Sequence, residues 1–75
     1  MADSLNDMRK ESTLDHALRN PPGQLPVTRI ERAPVIFRRI EGHALAFTAE
    51  HVLVEWERYG QWFCRWESVR FVARM

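Results

Sequence analysis

The sequence predicts a small, mainly β domain of four or five antiparallel strands, preceded by a flexible or partly helical N-terminal arm. Three observations lead to this fold class. Two segments rich in β-branched and aromatic residues, 51–57 and 61–66, flank a short turn. Six of the eight aromatic residues fall between positions 56 and 71, where we therefore expect a core. Three of the four prolines cluster in residues 21–26 and separate that part from a polar N-terminal segment.

Length and composition bound the function. A chain of 75 residues with 45% hydrophobic and 28% charged residues is typical of one small globular domain. The sequence contains no apolar run near the roughly 20 residues of a membrane span. The first 18 residues are polar and include acids, so we do not expect a secretory signal. We expect a cytoplasmic location instead. The single cysteine excludes an internal disulfide framework.

The chain is expected to divide into a polar N-terminal arm (1–20), a Pro-rich linker (21–26) and a small β-barrel domain (27–75). The arm carries only a few apolar residues at helical spacing, and isolated helices of that length are marginal in water. We therefore expect it to be frayed in the free protein, or to fold on a partner or on a sister chain. Proline can neither continue a helix nor donate a hydrogen bond within a sheet. The proline cluster therefore predicts a linker at residues 21–26.

The strands follow in order along the barrel domain. We predict an edge strand over residues 27–32 and a second strand over residues 34–40. A turn is predicted at residues 41–43. For residues 43–58 a helix competes with two strands, because positions 45, 49, 52, 53 and 56 fit a helical stripe. The β-branched Val52 and Val54 favour the strands, with a turn at 48–50.

The hairpin allows two registers. A two-residue turn at Tyr59–Gly60 pairs Trp56 with Phe63, whereas a three-residue loop at 58–60 pairs Trp56 with Trp62. Only the second register gives one dry face and one amphipathic face. Gly60 would also supply the left-handed residue that such a loop needs. We therefore predict the three-residue loop.

The C-terminal segment, residues 67–75, predicts a short turn at 67–69 followed by a last strand. Val69, Phe71 and Ala73 would then point inward, and Arg70 and Arg74 outward.

Together these features resemble an SH3-like small β-barrel over roughly residues 34–75. The segments that carry the resemblance are 52–56, Gly60, 61–66 and the 67–69 turn before Phe71. The resemblance implies a 3₁₀ turn between the last two strands. It implies no single function, because this fold hosts protein-binding, RNA-binding and DNA-binding modules alike.

Residues with reactive side chains do not form a recognisable active site. His16, His43, His51 and Cys64 lack the spacing of a metal site. Cys64, flanked by aromatic residues, is expected to be a buried thiol with a raised pKa. Two neighbouring acids, Glu55 and Glu57, would point the same way from one strand, but onto a solvated face. We therefore expect a non-enzymatic protein without catalytic residues, metal, cofactor or small-molecule substrate.

Binding is the remaining class of function. In the predicted register the outer hairpin face has interface-like composition. Its residues are Leu53, Glu55, Tyr59, Phe63 and Arg65. They predict a protein-interaction or regulatory module that binds a larger partner or forms a homo-oligomer, unless another segment of the chain covers them.

The alternative is a nucleic-acid-binding module, with aromatic side chains as a stacking platform. Its candidate residues are Arg38, Arg39, Arg70 and Arg74. The net charge of +1 and the six glutamates after residue 27 argue against it. No membrane partner is expected. Ten of the eleven basic residues are arginine, a bias typical of a GC-rich genome such as that of a high-GC bacterium or its phage.

Overall fold

The computed structural model describes the chain from residue 2 onward, and side chains from residue 8 onward. Over that range a helix precedes a sheet of five antiparallel strands, in the order β4-β3-β2-β1-β5, which confirms the mainly β prediction. The elements are α1 (Ala2–Arg19), a 3₁₀ helix (Pro22–Gln24), β1 (Thr28–Phe37), β2 (Ile40–Phe47), β3 (His51–Arg58), β4 (Gln61–Ser68), a second 3₁₀ helix (Val69–Phe71) and β5 (Val72–Arg74).

Strand β3 is buried on both sides. Its consecutive residues Leu53 and Val54 both have 0% of their surface exposed. Because successive residues of a strand point to opposite faces, something must cover each face of the sheet. On the Val54 side, here called the core face, a hydrophobic cluster fills the space. It comprises Val35, Phe37, Ala44 and Val54, with Ile40, Val52, Trp56 and Val72 packed against it.

Helix α1 packs on the opposite side, here called the helix face. The indole Nε1 of Trp66 donates a hydrogen bond of 2.9 Å to the carbonyl oxygen of Ala17, near the end of the helix. Lys10 lies 3.5 Å from a carboxylate oxygen of Glu57 and over the ring of Trp62. The arm is therefore helical and lies against the sheet of its own chain. No helix within the described residues has the length and hydropathy to cross a membrane.

The predicted three-residue hairpin loop is wrong. Strands β3 and β4 pair Trp56 with Phe63 and Glu57 with Trp62, and Tyr59–Gly60 form a two-residue turn. Both turn residues have positive φ, 54° and 76°, as in the turns whose twist matches that of the flanking strands. The prediction failed because it assigned the dry side of the hairpin to a single face, whereas Leu53 and Val54 are buried on opposite faces of β3.

The boundaries of the first strands also differ from the prediction. Residues 28–37 form one strand with an irregularity between Arg29 and Ala33, rather than two strands. The turn lies at Arg38–Arg39, which both have positive φ, and the predicted turn at 41–43 lies inside β2. The competing helix over 43–58 is excluded, since β2 and β3 occupy that range.

The predicted orientation of the C-terminal segment is partly wrong. Val69–Phe71 form a 3₁₀ helix, and the last strand begins only at Val72, which packs on the core. The three residues predicted to point inward, Val69, Phe71 and Ala73, are exposed. Arg70 and Arg74 are exposed as predicted.

Gly42 is required by the close approach of β2 and β3. A Cβ atom at this position would collide with the backbone carbonyl oxygen of Glu55, and it would lie 3.2 Å from side-chain atoms of Phe37 and Trp56. Only hydrogen fits there, so Gly42 allows the Trp56 side chain to pack against the core.

Replacing Gly42 with alanine is therefore expected to destabilise the fold by about 1–3 kcal/mol, because the inserted methyl group forces β3 and Trp56 to move. Urea denaturation followed by tryptophan fluorescence measures this change. A variant as stable as the wild-type protein would contradict the close approach.

Candidate functional site

The five residues predicted to bind a protein do not lie on one surface. Leu53 is fully buried and Glu55 half-buried on the helix face. Phe63 and Arg65 belong to the core face, since they pair with Trp56 and Val54. Tyr59 stands at the tip of the hairpin turn and is 92% exposed. The structure thus keeps Phe63 and Arg65 together and separates them from the other three.

Glu55 anchors a polar network on the helix face. One of its carboxylate oxygens accepts a hydrogen bond of 3.1 Å from Trp62 Nε1, and the other accepts one of 3.1 Å from Arg32 Nε. Its side chain is only 15% exposed, so the solvated acid predicted from the sequence is a partnered one. Glu57 remains exposed and contacts Lys10.

A continuous row of aromatic rings leads from the core to the surface. Phe37 meets Trp56 edge to face at 5.1 Å, and Trp56 stacks on Phe63 at 5.2 Å with an interplanar angle of 17°. Phe37 is buried, whereas Phe63 is 38% exposed. Phe63 is therefore a surface ring held in place by rings beneath it.

A buried carboxylate holds two arginines beside these rings. Glu67 lies on the core face opposite Val52, and its side chain is only 6% exposed. Arg65 Nε donates to Glu67 Oε1 at 2.9 Å, and Arg38 Nε donates to Glu67 Oε2 at 3.3 Å. Each carboxylate oxygen thus fixes one guanidinium group. Such charge-assisted bonds are the stronger ones in proteins.

Each guanidinium group also stacks on an aromatic ring. Arg65 lies 5.2 Å from the ring centre of Trp56, and Arg38 lies 4.4 Å from that of Phe71. Phe71 is half exposed. We call this surface the aromatic–arginine strip. It consists of Phe63, Arg65, Glu67, Arg38 and Phe71, with Trp56 beneath it.

Sequence reasoning identified only part of the strip. It named Phe63, Arg65 and Arg38, but assigned Arg38 to a different function and pointed Phe71 inward. It did not single out Glu67. The available signal was the alternation of Phe63, Arg65 and Glu67, which places all three on one face of a strand.

The four arginines predicted to bind nucleic acid lie on three elements. Arg38 and Arg39 form the β1–β2 turn, Arg70 lies in the second 3₁₀ helix, and Arg74 lies in β5 opposite Val35. All four are exposed. The contact of Arg38 with Phe71 brings the turn beside the element that carries Arg70.

A groove of about 680 Å³ runs between α1 and β4. Its lining includes Lys10, Trp62 and Cys64. Burial, followed by the charge of Glu55, raises the pKa of the Cys64 thiol to about 11, as predicted in direction. The thiol is thus protonated near neutral pH and is a poor nucleophile. The described residues contain no group of three or more His, Cys, Asp or Glu side chains placed to hold a metal ion.

Comparisons of the chain with protein-family models, with curated proteins and with solved structures find no match. What the protein does must therefore be inferred from the chemistry of its own surfaces.

Replacing Glu67 with glutamine is expected to destabilise the fold by about 1–3 kcal/mol, because the buried negative charge is lost and one of the two oxygens that accept from the arginines becomes an NH2 donor. Glu57→Gln is the matched control, since Glu57 is exposed, and its effect should stay within about 0.5 kcal/mol. Chemical denaturation of both variants measures the difference. Equal effects would show that Glu67 does not hold the two arginines.

Alkylation of Cys64 should be slow in the native protein. Raising the thiol pKa from 9.0 to about 11 lowers the thiolate fraction at pH 8 about 100-fold relative to the unfolded chain. Because the folded state disfavours the thiolate, the contribution of Cys64 to the free energy of unfolding is fully present below pH 9 and is lost as the pH rises towards 11. Iodoacetamide labelling with and without denaturant tests the first statement, and equal rates would contradict it.

Proposed function

We propose that the protein is a small, non-enzymatic protein-interaction module. It binds a larger protein partner, or a second copy of itself, through the aromatic–arginine strip. This revises the predicted surface: Phe63 and Arg65 remain, while Arg38 and Phe71 replace the residues that lie elsewhere. A cytoplasmic location is part of the proposal.

The single observation that carries the proposal is the exposure of Phe63 on top of a stacked Trp56. Aromatic residues and arginine are enriched at protein interfaces, and the residues that dominate binding energy are often of these types. Phe63 and Phe71 expose 38% and 50% of their surfaces although apolar burial is the main driving force of folding. A partner that covers them would recover that burial.

The rigidity of the strip supports the same function. Trp56 fixes Phe63 by stacking, and Glu67 fixes both arginines. Side chains that are already held in one conformation lose less entropy on binding. A surface of this kind is suited to recognition, whereas an exposed arginine or phenylalanine without such contacts would have to be ordered by its partner.

The topology supports an SH3-like barrel for the domain. The strand order β4-β3-β2-β1-β5 and the 3₁₀ helix before the last strand agree with the resemblance noted in the sequence. That fold is used as a binding platform in many unrelated proteins, so it fits the proposal without specifying a partner.

Nucleic-acid binding is the second candidate, favoured by the placement of Arg38 beside the element of Arg70. Against it, Arg38 and Arg65 share the negative charge of Glu67. A complex driven by phosphate contacts would weaken steeply as the salt concentration rises, and failure to bind DNA or RNA at about 50 mM salt would eliminate this function.

The test of the proposed function compares Phe63→Ser with Ile36→Ser. Both residues are 38% exposed, but Ile36 lies on the opposite face of the sheet from its core neighbours Val35 and Phe37. Peptides are selected from a random display library against the immobilised full chain, and the mass in solution is measured over a range of concentrations.

We expect Phe63→Ser to weaken peptide binding or self-association about tenfold or more, because it removes an anchoring aromatic ring. Ile36→Ser should leave both unchanged. Circular dichroism establishes that each variant is folded. If both variants behave like the wild-type protein in both measurements, the strip is not the binding surface.

A further inference from the structure

We infer that the aromatic–arginine strip recognises a single carboxylate side chain flanked by apolar residues, in an extended segment of a partner protein. This inference rests on the proposed function and names the chemistry of the partner. It follows from the charge of the strip, from the donors that its arginines leave open and from the order of its residues.

The strip carries excess positive charge. Arg38 and Arg65 both contact Glu67, so two positive charges share one negative charge. The remaining charge of +1 is partly desolvated by the rings of Trp56 and Phe71 that lie against the guanidinium groups. An anionic group from a partner would neutralise this remaining positive charge.

The arginines keep donors for such a group. A guanidinium group has five N–H donors. The contacts to Glu67 use Nε of Arg38, and Nε with one terminal nitrogen of Arg65. Both side chains are 52% exposed, so terminal N–H groups face solvent and can reach a ligand. Planar guanidinium donors match the two oxygens of a carboxylate.

The order of residues specifies what flanks the carboxylate. Phe63, Arg65 and Glu67 follow one another on one face of β4, at a spacing of roughly 7 Å between alternate residues. Phe71 lies beyond, against Arg38. The charged centre thus lies between two exposed rings. An extended segment whose acidic residue has an apolar residue two positions before it and another two positions after it would present all three side chains on one face and meet each of these features in turn.

The same features favour a protein over a nucleic acid. A polyanion gains affinity from many phosphate contacts, whereas the strip offers a net charge of +1 and contains a carboxylate of its own. The strip matches one negative charge among apolar groups better than it matches an evenly charged backbone.

The test uses two blocked heptapeptides of sequence Gly-Phe-Gly-Glu-Gly-Phe-Gly and Gly-Phe-Gly-Gln-Gly-Phe-Gly, which present the three side chains on one face when extended and differ in charge but hardly in shape. Each is titrated into the full chain while tryptophan fluorescence and the Nε–H nuclear magnetic resonance signals of Arg38 and Arg65 are followed. A short oligothymidylate serves as the competing anionic probe.

We expect the Glu peptide to bind about tenfold more tightly than the Gln peptide, the difference typical of a charge-assisted contact. It should also shift the Nε–H signals of both arginines. Arg65→Gln should remove most of this discrimination, and Arg74→Gln, which changes an exposed arginine on β5, should preserve it. The wild-type titration decides the question even if Arg65→Gln fails to fold.

Three results would overturn the inference. They are equal affinities for the two peptides, unmoved arginine signals at saturation, and tighter binding of the oligothymidylate than of the Glu peptide. If display-selected peptides need Phe63 but show no preference for acidic residues, the proposed function stands and this inference fails. If neither those peptides nor the Glu peptide depends on Phe63, both fail.

Discussion

The two-sided burial of strand β3 is the constraint on which the rest of the structure depends. Leu53 and Val54 are adjacent and both fully buried, so the sheet needs a cover on each face. The hydrophobic cluster around Phe37 and Val54 covers one face, and helix α1 covers the other through its contact with Trp66. The hairpin register follows, because a strand with two dry faces does not require all its polar residues to share one side. The burial of Glu55 beside Trp62 and Arg32 follows as well.

Two carboxylates organise the polar chemistry of the two faces. Glu55 on the helix face and Glu67 on the core face each bind two donors, and neither is left as an uncompensated buried charge. Their consequences differ. The partners of Glu55 are Trp62, whose ring lies under Lys10 of the helix, and the exposed Arg32, whereas both partners of Glu67 are half-exposed arginines. Only the second network holds two arginines that each stack on an aromatic ring, and that difference is the reason for choosing the strip as the candidate site.

Part of the candidate site could be predicted from the sequence, and part could not. Phe63 and Arg65 were identified because alternation along a strand is a local property that survives an error in pairing. Leu53 was misplaced because its exposure depends on a helix more than thirty residues away in the chain. Arg38 meets Glu67 across a separation of 29 residues, and no spacing rule predicts such a contact. Gly60 was correctly assigned to a turn, but the length of that turn was wrong, since both loops accept glycine there.

The sequence by itself determined the fold class, the proline break after the arm and the hairpin at 51–66. These depend on composition, local propensity and neighbouring residues. The tertiary structure alone decided the register, the docking of α1 and the grouping of Phe63, Arg65, Arg38 and Phe71 around Glu67. The physical reason is that burial is a collective property. Whether a side chain is wet or dry depends on what packs over it, and that partner comes from a distant part of the chain.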